Sequence, residues 1–343
     1  MTKITKAFLG FGFASLLALG CGDGGTGAAG SGGGTGGTGG AAGGTGGAGG
    51  SAGGMAGAGG INMNAVSVGK YVANKVTLPS TSSQARDLGC DLDGNGTPDN
   101  QLGNILSALR GMVDTQAGID DAVNAGSVLV LFDVKSDSGA MTAAAGHAGI
   151  TVNLGKYSAA MFDMAMAFSG MGMFTLDGMK YDLGGSIAGG VGNFGPGNLT
   201  LKIALVAGGA PFSAALIQAS VNNVTISTAG LMGGKICGAI TETDLNTNVI
   251  PTIATLLKDR VAAGGSTAST LCQIFDTMDP KCAANSADCA NFGPMMMPPA
   301  NCISMTEITE NAIIKSVLKP DVTLGGVKAL SLGLGFTAVG AKF

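Results

Sequence analysis

The chain has 343 residues, carries 22 acidic against 18 basic side chains, and devotes only 12% of its positions to charge. A weakly acidic chain without a Lys/Arg run has no means of displacing counterions from a phosphate backbone, which excludes nucleic acid as a partner. One histidine, three tyrosines and no tryptophan leave little provision for general base work at neutral pH or for an aromatic sugar platform.

Lys3 and Lys6 precede a 13-residue apolar run at 7–19, the length of a signal-peptide core and too short to span a bilayer as a helix. Ala18-Leu19-Gly20-Cys21 closes it and resembles the lipobox of bacterial lipoproteins, with Ala18 where that family usually has Leu. The resemblance implies that residues 1–20 are a signal peptide and that Cys21 becomes an acylated N-terminus. It also implies an envelope location, at the outer membrane or cell surface, with the membrane as a partner through the lipid. The competing reading is ordinary secretion, with Cys21 in a disulfide. Residues 22–60 hold 23 glycines with one charge, Asp23, and cannot bury enough apolar surface to offset the entropy of ordering. Residues 21–60 thus read as a disordered tether, with a root-mean-square span on the order of 30–37 Å.

Residues 61–343 are long enough for a sizeable core. A strand is expected at 71–78, helices at 100–113 and 116–123, and an apolar strand at 128–134. Strands then follow at 150–154, 161–168, 173–183, 199–206, 214–226 and 235–240, with turns at Leu176-Asp177-Gly178, Gly195-Pro196-Gly197-Asn198 and Val221-Asn222-Asn223. Helices return at 248–263, 269–278 and 306–318, the last with Thr306 and Glu310 about its first turn, and residues 329–343 alternate as a strand that closes the sheet. The expected fold is α+β and β-rich: an antiparallel sheet or sandwich with a helical, cysteine-bearing insertion at about 241–319.

Setting Cys21 aside, Cys90, Cys237, Cys272, Cys282, Cys289 and Cys302 remain. An even number in an exported chain reads as three disulfides whose pairing the sequence leaves open, with Cys282 and Cys289 spaced for a local loop. No C-x2-C pair supports zinc.

The strongest site signal is Asp91-Leu92-Asp93-Gly94-Asn95-Gly96-Thr97-Pro98-Asp99. Oxygen side chains at positions 1, 3 and 5 converge when a backbone curls about a hard cation. Glycine at 6 permits the turn, the carbonyl of 7 faces in, and 9 binds directly or through water. Asp91, Asp93, Asn95, Gly96, Thr97 and Asp99 fill these places, so calcium is the expected cofactor. The loop resembles those of EF-hands, dockerins and thrombospondin type 3 repeats. It departs from the EF-hand at position 12, where Leu102 replaces the bidentate Glu, unless Asp120, Asp121 or another acid substitutes. Affinity is then expected in the weak extracellular range, about 0.1–1 mM. A polar turn capping the next helix is the competing reading. More broadly, the lipobox, the tether and the segments DLDGNGTPDNQLGNIL, GGKICGAI and LSLGLGFTAV resemble surface lipoproteins of Gram-negative soil bacteria, motifs specific for no activity. Only Asp321 remains of the acidic loop that often precedes the closing strand in such proteins.

Met161, Met164, Met166, Met171 and Met173 raise a Cu(I) site, because thioethers are soft ligands. Met164 and Met166 share a period-2 face with Phe162 and Phe168, however, which reads as a buried strand. His147 falls in a turn with no Cys or His partner nearby. The leading functional expectation is a non-enzymatic surface lipoprotein that binds or scaffolds a protein, glycan or lipid ligand. The alternatives are a carrier of an apolar ligand in the β core and an Asp-dependent hydrolase.

Overall fold

The computed structural model describes residues 65–110, 114–206, 208–209, 211–263, 268, 271, 275 and 303–343. The expectations for residues 1–60, and for Cys272, Cys282, Cys289 and Cys302, lie outside the described residues.

The α+β, β-rich class holds, and the antiparallel sheet closes on itself. Strands β1 (Val66–Thr77), β2 (Val130–Ser136), β3 (Ala143–Tyr157), β4 (Gly172–Ala188), β5 (Val191–Ile203), β6 (Phe212–Ile226) and β7 (Gly230–Thr241) pair in sequence order. The short β8 (Val322–Leu324) forms a hairpin with β9 (Val327–Lys342), and β9 pairs antiparallel with both β7 and β1. The last strand therefore closes an eight-stranded up-and-down barrel, leaving no free edge in the ring.

Alternation explains the closure. In β6, Ala214, Leu216, Ala219, Val221, Val224 and Ile226 are buried, while Ser213, Ala215 and Thr225 are exposed. In β5, Phe194, Leu199, Leu201 and Ile203 point in, while Asn193 and Asn198 are exposed. Apolar-in and polar-out is the reverse of the pattern a lipid-embedded barrel requires. The interior is filled by side chains: Phe132 stacks on Phe336 at 4.8 Å, among buried Tyr71, Ile150, Leu183 and Phe194.

Three of the expected turns prove to be irregularities within long strands. Leu176-Asp177-Gly178 lies inside β4, Gly195-Pro196-Gly197-Asn198 inside β5, and Val221-Asn222-Asn223 inside β6. The β5–β6 register slips repeatedly between Gly192 and Leu199, and Gln218 and Asn223 adopt positive φ. These bulges add the local twist that a closed barrel needs, so turn-type residues mark bends rather than ends.

Helices α1 (Ser82–Leu88), α2 (Gln101–Leu109) and α3 (Thr115–Asn124) separate β1 from β2. Thr81, Asn100 and Asp114 cap them by accepting amide hydrogen bonds. Leu102, Ile105, Leu106, Ile119 and Val123 extend the core. A short helix, α4 (Met164–Ala167), lies between β3 and β4. After β7 come α5 (Glu242–Asp244), a π-helical turn Leu245–Val249 and α6 (Ile250–Ala262). The helix expected at 306–318 is two, α7 (Met305–Glu310) and α8 (Ala312–Val317), because Asn311 turns extended (φ −59°, ψ 130°) and its side chain caps Ile313. The cap of α7 is a Ser304/Glu307 box, not the Thr306/Glu310 pair.

The larger correction concerns 161–168. This segment is not a buried strand. It is a loop carrying α4, laid against the outside of the barrel. Phe162, Ala167 and Phe168 anchor it over Val72, Leu129 and Leu131, with edge-to-face contacts linking Tyr157, Phe162, Phe168 and Phe174. Its methionines face solvent.

Candidate metal loop

The acidic loop is tied to the barrel wall by a disulfide and closed at its base by a backbone bridge. Cys90 is disulfide-bonded to Cys237 of β7, 147 positions away, which resolves one of the open pairings. Cys90 and Asp99 also pair across the base of the loop, the Asp99 N–H donating to the Cys90 carbonyl at 2.8 Å. Between them the chain curls as the spacing predicts, with Gly94 and Gly96 at φ 79° and 83°, where a Cβ would be strained although space is open.

Side chains and amides knit the loop together. Asp91 accepts from Gly94 N–H (2.8 Å) and Gly96 N–H (2.9 Å), and Asp93 accepts from the Asn95 N–H and side-chain amide. Asn95 Oδ1 accepts from Thr97 N–H at 2.7 Å, and Asp99 from Leu92 N–H at 2.8 Å. Carboxylate oxygens of Asp91, Asp93 and Asp99 come within 4.8 Å of one another. Three like charges at that separation repel unless a proton or cation intervenes. Partial burial raises the Asp99 carboxyl above its ordinary value, and the charges of Asp93 and Asp321 push the same way, against hydrogen bonds from Leu92 and Asp93 that lower it. A hard cation fits this oxygen set.

The twelfth position contributes nothing, since Leu102 is buried in the core. Asp120 and Asp121 do not join the cluster, and Asp120 instead accepts from Gln116, whose side chain is bound to the end of β1. Asp321, the acid retained before the closing strand, acts electrostatically on Asp99, yet its oxygens accept from Ser331 N–H (2.8 Å) and Oγ–H (2.5 Å). His147 lies within β3 rather than in a turn, with Nδ1 2.5 Å from Asp137 Oδ2 on the surface.

Behind the loop, Asn100 joins distant parts of the chain. Its Oδ1 accepts from Gly103 N–H and Gly333 N–H, and its Nδ2 donates to the Ala85 and Gly333 carbonyls. Gly333 sits so close that a Cβ there would meet Leu88 O at 2.4 Å. Beside the loop, a groove of about 310 Å³ opens where β5 and β6 bulge, lined in part by Asp91, Leu92, Asn193, Gln218, Ser220 and Asn222. No signal in the sequence joined these residues to the loop, because strand register alone brings them there.

Comparison with protein-family models, curated proteins and solved structures finds no match to this chain.

Proposed function

We propose that this chain is a non-enzymatic envelope lipoprotein, anchored through acylated Cys21 and extended on the 21–60 tether. Its barrel is braced by calcium at Asp91, Asp93 and Asp99, and it binds or scaffolds a partner outside the membrane. One observation carries the calcium brace: three carboxylates converge within 4.8 Å on a loop pinned to the wall by Cys90–Cys237. Calcium there supplies charge compensation and rigidity. Backbone carbonyls, Asn95 and water would complete its shell. The adjoining groove, rich in carboxamides, offers donors and acceptors to a polar partner. The carrier reading is less favoured, because Phe132, Phe194, Leu183 and Phe336 occupy the barrel interior.

Two measurements test this reading. Fractionation should recover the wild type with membranes and Cys21→Ser in the soluble fraction; equal partitioning contradicts the anchor. Melting in calcium against chelator should separate the wild type from Asp91→Ala/Asp93→Ala; identical responses contradict the brace.

A further inference from the structure

Met161, Met164, Met166, Met171 and Met173 are exposed by 82, 49, 60, 66 and 62% respectively. Burying such a side chain is worth about 1.5–3 kcal/mol, and a grouped exposure of this kind marks an interaction. The segment is firmly seated. Its aromatic residues pack beneath it, so the thioethers face outward from an anchored backbone. Every exposed large apolar residue between positions 161 and 173 is a methionine, whereas an apolar docking surface has no need of sulfur.

A tight turn links the backbone of Met166 to that of Met171. Ser169 donates through N–H (3.3 Å) and Oγ–H (2.8 Å) to the Met166 carbonyl, and its Oγ accepts from Met171 N–H at 3.2 Å. Gly170 reverses the chain at φ 87°. Met171 and Met173 flank buried Gly172 and are both exposed, so they lie on one side of the entering strand. The local carboxylate, Asp163, is occupied as the α4 cap, accepting from Met166 N–H, and the residue paired with Met173 is Lys342. The exposed donors of this segment are thus mainly thioethers, which favour a soft cation over a hard one.

We propose that Met166, Met171 and Met173 form a surface site for a soft monovalent cation, Cu(I) or its redox-inert analogue Ag(I), with Met164 and Met161 at its margin. The site is separate from the acidic loop and does not depend on calcium there.

The test titrates Ag(I) into the full chain with 13C-labelled methionine methyls. Saturable binding with shifts confined to methyls of this cluster is expected. It should be lost in Met166→Leu/Met171→Leu/Met173→Leu and kept in Met232→Leu, which alters an exposed methionine on β7. Leucine retains the apolar surface and removes the sulfur, so a docking patch survives the triple change while a thioether site does not. Should the triple variant fail to fold, the wild-type methyl shifts decide. Absence of saturable binding, shifts located elsewhere, or Ag(I) uptake unchanged in a folded triple variant would overturn the proposal.

Discussion

Replacing Asn100 by Ala tests how the metal loop, the helices and the closing strand are tied together. The change removes the α2 cap on Gly103, worth about 1 kcal/mol. It also takes the side-chain partner from Gly333 N–H, Gly333 C=O and Ala85 C=O at a site only 4% exposed. A buried polar group left without a partner costs about 1–3 kcal/mol. Taking the low end for each, since water can enter the vacated space, the loss is about 3–5 kcal/mol. For a domain of this size that lowers Tm by roughly 6–20 °C. Urea unfolding followed by circular dichroism should show a reduced midpoint with unchanged slope. Asn100→Asp supplies a second check. It keeps the acceptor for Gly103 and Gly333 but sets a carboxylate oxygen against two carbonyls, so the Asp is held protonated more readily when folded. Its stability should rise as pH falls through the raised pKa and be lost as pH climbs. A loss below about 1 kcal/mol for Asn100→Ala, or a pH-independent Asn100→Asp, would refute the argument.

Further outcomes are expected from the same geometry. Gly94→Ala or Gly96→Ala should cost about 1–2 kcal/mol through positive φ alone, because nothing crowds either Cβ position; calorimetric unfolding of the two variants checks it. Asp99→Asn should leave the calcium-free protein as stable or more stable near neutral pH, since it removes a charge that burial, Asp93 and Asp321 disfavour. The sign for wild-type Asp99 follows: a raised carboxyl opposes folding above its folded pKa, so acidification through that window relieves the penalty. Melting without calcium should show that relief in the wild type and not in Asp99→Asn. Cys90→Ala/Cys237→Ala opens a loop of 147 positions, for which the chain-entropy argument sets a ceiling of about 5 kcal/mol, measurable by chemical denaturation.

Much of this was legible from residues alone. Alternating Leu330, Leu332, Leu334 and Phe336 marked the closing strand, and their burial against both neighbours makes it the seam of the barrel. The oxygen spacing of 91–99 marked a curled loop, and its carboxylates do converge. Failures arose where local chemistry served a non-local end. Gly195, Pro196 and Asn223 have the composition of turns but bend strands that continue. The period-2 pattern of 161–168 belongs to a segment that packs Phe162 and Phe168, half-buried, against the outer wall and turns its methionines to water. Asn100 could be read as a helix cap, but its bond to Gly333 spans 233 positions and leaves no local trace.

Calorimetric titration of calcium into the full chain, repeated with Asp91→Ala/Asp93→Ala, decides whether the loop holds a metal. The account predicts one saturable site of about 0.1–1 mM, a rise in melting temperature on binding, and loss of both in the double variant. No binding up to several millimolar, or undiminished binding in the variant, would contradict it and leave the loop a turn and helix cap.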